Sequence, residues 1–158
     1  MRRQLVFIPV ARDELGAIVG DPVLADRPAH RVTPELLAEL GYGPTQEEDA
    51  EYAALVLASV AALARFGERL VLVAEVPSDH VAPEADLANG ACRVSAVPPG
   101  ALTCWFSEQA GVDVADAAAA AKGLDIDTAW DFDEVQSLLA TSDLLWNDVE
   151  EYRRANQP

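Results

Sequence analysis

Between Thr45 and Val76 the sequence specifies a long helix running straight into a buried strand, and a chain holding that pair has to layer helix on sheet. Tyr52, Leu55, Val56, Ala62, Leu63 and Phe66 recur at helical spacing and make one broad apolar face. Thr45-Gln46-Glu47-Glu48 has the form of a capping box, in which the Thr45 hydroxyl and the Glu48 carboxylate satisfy each other's backbone donors. Gly67 stands where a left-handed stop ends the helix at Phe66. Arg69–Val76 is then a continuous apolar run closed by Pro77, the pattern of a buried strand.

The flanking segments fit the same scheme. Gln4–Pro9 is a second apolar run, Ala11–Gly20 reads as a short helix, and Asp21–Arg31, with two prolines, reads as loop. Thr33-Pro34-Glu35 opens a brief helix that stops at Gly41. Ser78–Gly90 is polar and reads as loop. Cys92–Val97 and Leu102–Ser107 are strand candidates around Pro98-Pro99-Gly100, which has the chemistry of a hairpin or a close connection. Asp113 caps a helix running to Lys122, and Asp131-Phe132-Asp133-Glu134 opens another with Val135, Leu138 and Leu139 on its apolar side. Ser142 or Asp143 can cap a terminal helix carrying Leu144, Leu145, Val149 and Tyr152. The order predicts an α+β fold in one domain spanning 1–158: a small mixed or antiparallel sheet of about four strands with helices packed on one face. A ferredoxin-like sandwich with extra helices is the nearest named arrangement.

The formal net charge is −16 over 158 residues. Residues 1–34 hold four acids against five arginines, a balance of +1, so the remainder carries −17. Such a field repels nucleic acid and anionic lipid and favours basic partners or cations. Arg2 and Arg3 before the short run Leu5–Ile8 do not make a secretory signal, whose apolar region needs about 7–15 residues. Ala53–Val76 is interrupted by Arg65, Glu68 and Arg69, so no membrane span is expected. The expected localisation is cytoplasmic.

No Walker A pattern and no GxGxxG follows a strand, and none of the six serines sits in a GxSxG elbow. Cys92 and Cys104 lack metal spacing and lie in apolar runs, which predicts buried free thiols, with a cross-strand disulfide as the alternative. Cys104 as nucleophile would need His30 or His80 as its base, and its neighbours Thr103 and Trp105 supply no positive charge to activate it. Read as an EF-hand from Asp125, the acidic cluster has Ala129 at position 5, Trp130 at the glycine position and Gln136 where the bidentate Glu belongs. No metal and no cofactor is expected. The same cluster, Asp125, Asp127, Trp130, Asp131, Asp133 and Glu134, is the candidate partner-binding patch, with acids around aromatics. The alternative is a small enzyme or metabolite-binding domain, with a site at the C-terminal ends of the first two strands near Arg12, Glu75 and His80.

Five strings resemble a family of short actinobacterial proteins of unknown function: Val6-Phe7-Ile8-Pro9, His30-Arg31-Val32-Thr33-Pro34, Glu51-Tyr52-Ala53-Ala54-Leu55, Leu70–Val76 and Asp143-Leu144-Leu145-Trp146. The resemblance implies an intracellular protein of a high-GC bacterium and brings no activity, cofactor or catalytic residue. The expectation is a non-enzymatic acidic protein that binds another protein with a basic surface, and binds neither nucleic acid nor membrane.

Overall fold

The computed structural model describes residues 2–19 and 24–156. One sheet holds seven strands: β1 (Arg3–Pro9), β2 (Leu24–His30), β3 (Val71–Pro77), β4 (Val81–Pro83), β5 (Ala91–Val97), β6 (Leu102–Ser107) and β7 (Leu145–Asp148). Their order is β4-β5-β2-β1-β3-β6-β7, and every neighbouring pair is antiparallel. The fold is therefore α+β, with seven strands where about four were expected. The chain opens β-β-α-α-β, which departs from the β-α-β-β-α-β order of a ferredoxin-like arrangement.

Both faces of the sheet are buried, so the expectation of helices on one face is corrected. On one side Val6, Ile8, Leu72, Val76 and Val94 pack beneath the 3₁₀ turns of Arg12–Val19 and α6 (Val149–Ala155). On the other, Phe7, Val71 and Val73 meet α2 (Glu47–Phe66), with α3 (Ala115–Ala121), α4 (Ile126–Trp130) and α5 (Asp133–Thr141) alongside. Strand residues facing two helical layers must be apolar at successive positions, which is why β1 and β3 read as unbroken runs. Cys92 belongs to the first core and Cys104 to the second, and both are free thiols. Burial pushes the Cys92 thiol up to about 11 and also raises that of Cys104, so neither is poised as a thiolate.

The strand β2 replaces an expected loop; Gly20–Val23, at the join of the expected helix and loop, lie outside the described residues. Two prolines explain the misreading. Pairing between β1 and β2 is registered only at Phe7↔His30, and continuing that register sets Pro9 opposite Pro28. Val10 donates to Leu70 and Arg31 donates to Gly90, so by alternation both proline nitrogens face the seam between β1 and β2. The ladder lapses there, and Arg27 Nη2 donates to the Pro9 carbonyl at 3.1 Å instead.

Of the hairpin or close connection expected at Pro98-Pro99-Gly100, the hairpin does not form and a short connection does. Pro98–Ala101 carries the chain from β5 to β6, four strand positions away. Five residue steps reach about 18 Å. Four spacings of a flat sheet would need about 19 Å before any offset along the strands. The sheet is thus curled around the core beneath Arg12–Val19. At the far edge, Leu144-Leu145-Trp146 was expected in a helix but enters strand β7, leaving Leu145 and Trp146 exposed.

Two caps hold as expected. Thr33 Oγ1 accepts from Leu36 N–H at the start of α1 (Pro34–Leu40), and Gly67 closes α2 at φ 83°. The capping box at Thr45 does not form: Gln46 is the N-cap of α2, and its side chain accepts from Gly43 N–H.

The segment His30–Thr33 also fastens a distant turn, Leu87–Gly90. His30 Nδ1–H donates to the Asn89 carbonyl at 2.8 Å, Arg31 N–H to the Gly90 carbonyl at 2.9 Å, and the Thr33 hydroxyl to the Leu87 carbonyl at 2.7 Å. Gly90 is held at φ 73°, and a Cβ there would lie 2.1 Å from the Arg31 carbonyl oxygen. No side chain fits.

Candidate functional site

The twenty residues of α2 outreach the seven of α1 and the five of α4, and the surplus apolar surface lies open between the three helices. The resulting groove encloses about 510 Å³. Leu36, Leu57 and Ile126 are its buried floor. Leu40 and Tyr52, 37% and 61% exposed, are its open walls, with the half-buried Trp130 across from them. Leu40 stays at the surface because Gly41, at φ 71°, turns the chain away after two helical turns. Tyr52 was expected on the apolar face of α2 but stands at the surface, because the face packed in the core is the one that carries Ala54, Leu57, Ala58 and Ala61.

The rim is acidic. Glu39 and Asp127 line the groove, and no arginine or lysine does. Asp49 lies one turn before Ala53 on the same stripe of α2, and Asp131 one turn after Asp127. Asp127 is oriented: Asn89 Nδ2 donates to it at 2.9 Å and to Asp86 at 2.8 Å.

The candidate partner patch is divided by this geometry. Asp127 and Trp130 line the groove, whereas Asp131 is the C-cap of α4 and is not part of the lining. Asp125 is the N-cap of α4, accepting from Thr128 N–H at 2.8 Å, which lowers its pKa. Asp133 and Glu134 occupy the first turn of α5, beside the helix dipole and facing a different hollow. The groove residues that the sequence reading left out are Leu36, Leu40 and Tyr52. Only Tyr52 carried a signal, as a bulky aromatic three residues from Asp49 in an acidic first turn.

The alternative site is taken apart by the antiparallel register. Pro9 pairs with Val71 and Arg3 with Pro77, so the C-terminal ends of β1 and β3 lie at opposite ends of the sheet. Arg12 stands at one end, donating to Glu68 at 2.6 Å. Glu75 and His80 stand at the other, where Glu75 is exposed and the buried His80 Nδ1 makes no hydrogen bond. Among the described residues no three His, Cys, Asp or Glu side chains come together as a metal would need, and no helix is long and apolar enough to cross a membrane.

A family model matches residues 3–154, nearly the whole of the structure just described. The chain belongs to the DUF6912 family. The function of that family is unknown, so membership carries no activity to the groove. No curated protein and no solved structure matches the chain.

Proposed function

We propose that this DUF6912 protein is a non-enzymatic binding module that seats a basic, amphipathic helical segment of another protein in the groove between α1, α2 and α4. The observation that carries this reading is the pairing of an uncovered apolar wall with a rim of carboxylates and no cation. A helix presenting apolar anchors at i, i+3 or i+4 and i+7 fills such a groove, and lysines or arginines on its flanks meet Glu39, Asp49, Asp127 and Asp131. The charge of −16 draws such a segment in from a distance, while the desolvated contact with Tyr52 and Trp130 holds it. Cytoplasmic residence is the compartment in which this binding is expected.

The test is a pair of designed helical peptides with identical apolar anchors, one flanked by lysine and one by glutamate, titrated into ¹⁵N-labelled protein. The lysine peptide is expected to saturate shifts confined to α1, α2 and α4, and to weaken as salt is raised. Tyr52→Ala, at an exposed position, is expected to weaken it about tenfold or more while changing stability by less than ~0.5 kcal/mol. Equal binding of the two peptides, or shifts centred elsewhere, would overturn the reading.

A further inference from the structure

A second hollow, of about 320 Å³, opens between the β4-β5-β2 edge of the sheet and the ends of α2 and α4. It is lined by charge of both signs, and almost all of that charge is engaged. Arg93 donates to Glu84 at 2.8 Å and to Asp26 at 3.1 Å. Asp86 holds Asn89, and Asp125 caps α4. Of the nitrogen groups on the histidine and arginine side chains of this lining, the guanidinium of Arg65 and Nε2 of His30 have no hydrogen bond among the described residues.

Both are placed for use. His30 is 3% exposed, and its Nδ1 must be the protonated nitrogen because the Asn89 carbonyl can only accept. The neutral ring therefore keeps a lone pair on Nε2, on the side away from Asn89. Burial first, and then the nearby Arg65 charge, lower the His30 pKa and keep that lone pair unprotonated. Arg65 stands in the last turn of α2, where a cation suits the dipole. Burial first, and then the like charges of Arg27 and Arg93, lower its pKa, and none of the lining carboxylates is hydrogen-bonded to it.

We propose that the crevice binds a small carboxylate that also carries a hydroxyl or amino group, with the carboxylate on Arg65 and the neighbouring O–H or N–H donating to His30 Nε2. The volume at the lower end of ligand pockets limits the occupant to a small organic acid. The engaged carboxylates Glu84, Asp86 and Asp125 disfavour a second negative charge, which excludes phosphate and dicarboxylates. This site shares no charged residue with the peptide groove and stands or falls separately from it.

The experiment is a titration of the full chain with lactate, glycine and acetate, read by ¹⁵N resonances of the histidine rings, with His80→Gln used to assign them. Lactate or glycine is expected to move the His30 Nε2 resonance and to saturate, and whichever binds more tightly identifies the donor. Acetate, which carries the charge but no donor, is expected to bind about tenfold more weakly. Arg65→Gln, at an exposed helix end, is expected to lose about tenfold in affinity with an unchanged unfolding temperature. The wild-type ring signal makes the test independent of any His30 variant that fails to fold. A stationary His30 signal, acetate binding as well as lactate, or full affinity in Arg65→Gln would each overturn the proposal.

Discussion

The groove between α1, α2 and α4 and the crevice beside His30 meet at Ile126, which borders both, yet their chemistry is opposite. The groove is apolar and open, and its lining holds Glu39 and Asp127 but no arginine or lysine, with only the neutral amide of Asn89 bonded to Asp127. The crevice is smaller and mixed in charge, and its carboxylates are spent on Arg93, Asn89 and a helix cap, so that a cation and a neutral base are left over. A bulk charge of −16 therefore says little about what a given surface binds. What decides is which groups the fold has already satisfied. The Leu87–Gly90 turn stands at the join, its Asn89 carbonyl serving His30 and its Asn89 side chain serving Asp127.

The largest change that tests this contrast is Gly90→Ala, because the turn supports both sites. The added Cβ would overlap the Arg31 carbonyl and meets a positive φ, so a loss of about 3 kcal/mol is expected in denaturant unfolding, with both kinds of binding impaired. Thr33→Val separates the two sites. It removes the α1 cap and the donor to Leu87 at about 2 kcal/mol, and peptide binding should fall more than carboxylate binding, because α1 walls only the groove.

A third test acts on the crevice side through pH. The pKa of His30 is lower folded than unfolded, so the unfolded chain takes its proton first, near pH 6.5. Stability contributed by the neutral ring is complete above that pH and is lost as pH falls toward the folded pKa. Burial is the main cause of this shift and Arg65 deepens it, while the Asn89 carbonyl and Asp86 oppose it. Unfolding between pH 7 and 5.5 should show a decline in stability that is absent from His30→Gln, which has no proton to take up. The smallest effect belongs to Arg12→Ala. Its pairing with Glu68 is largely exposed, so stability should move by less than ~0.5 kcal/mol and neither binding should change.

The elements legible in the sequence were those specified by local chemistry. Thr33-Pro34 and Gly67 fix their helix ends with contacts inside three or four residues, and β1 and β3 advertise themselves by being buried on both faces. The strands β2, β4 and β7 were hidden because partners far along the chain create them. Pro28 is tolerated in β2 only because Pro9 faces it, and Leu144-Leu145-Trp146 turns extended only beside β6. The sites divide the same way. Asp127 and Trp130 stood out as acid beside aromatic, but the groove wall at Leu40 follows from unequal helix lengths. His30 was visible as a residue, whereas its tautomer depends on a carbonyl fifty-nine positions away.

The central position of β1 bears on how the chain is made. Its full ladder is with β3, Arg3↔Pro77 through Pro9↔Val71, whereas its seam with β2 is interrupted by two prolines. The 68 residues from Val10 to Pro77 must be synthesised before that ladder can close. At about 5–20 residues per second, this leaves Val6, Phe7 and Ile8 without their main partner for roughly 3–14 s on the ribosome. Over that interval the strand that will anchor the sheet is its most aggregation-prone segment, and a chaperone that grips short apolar stretches would find it there first.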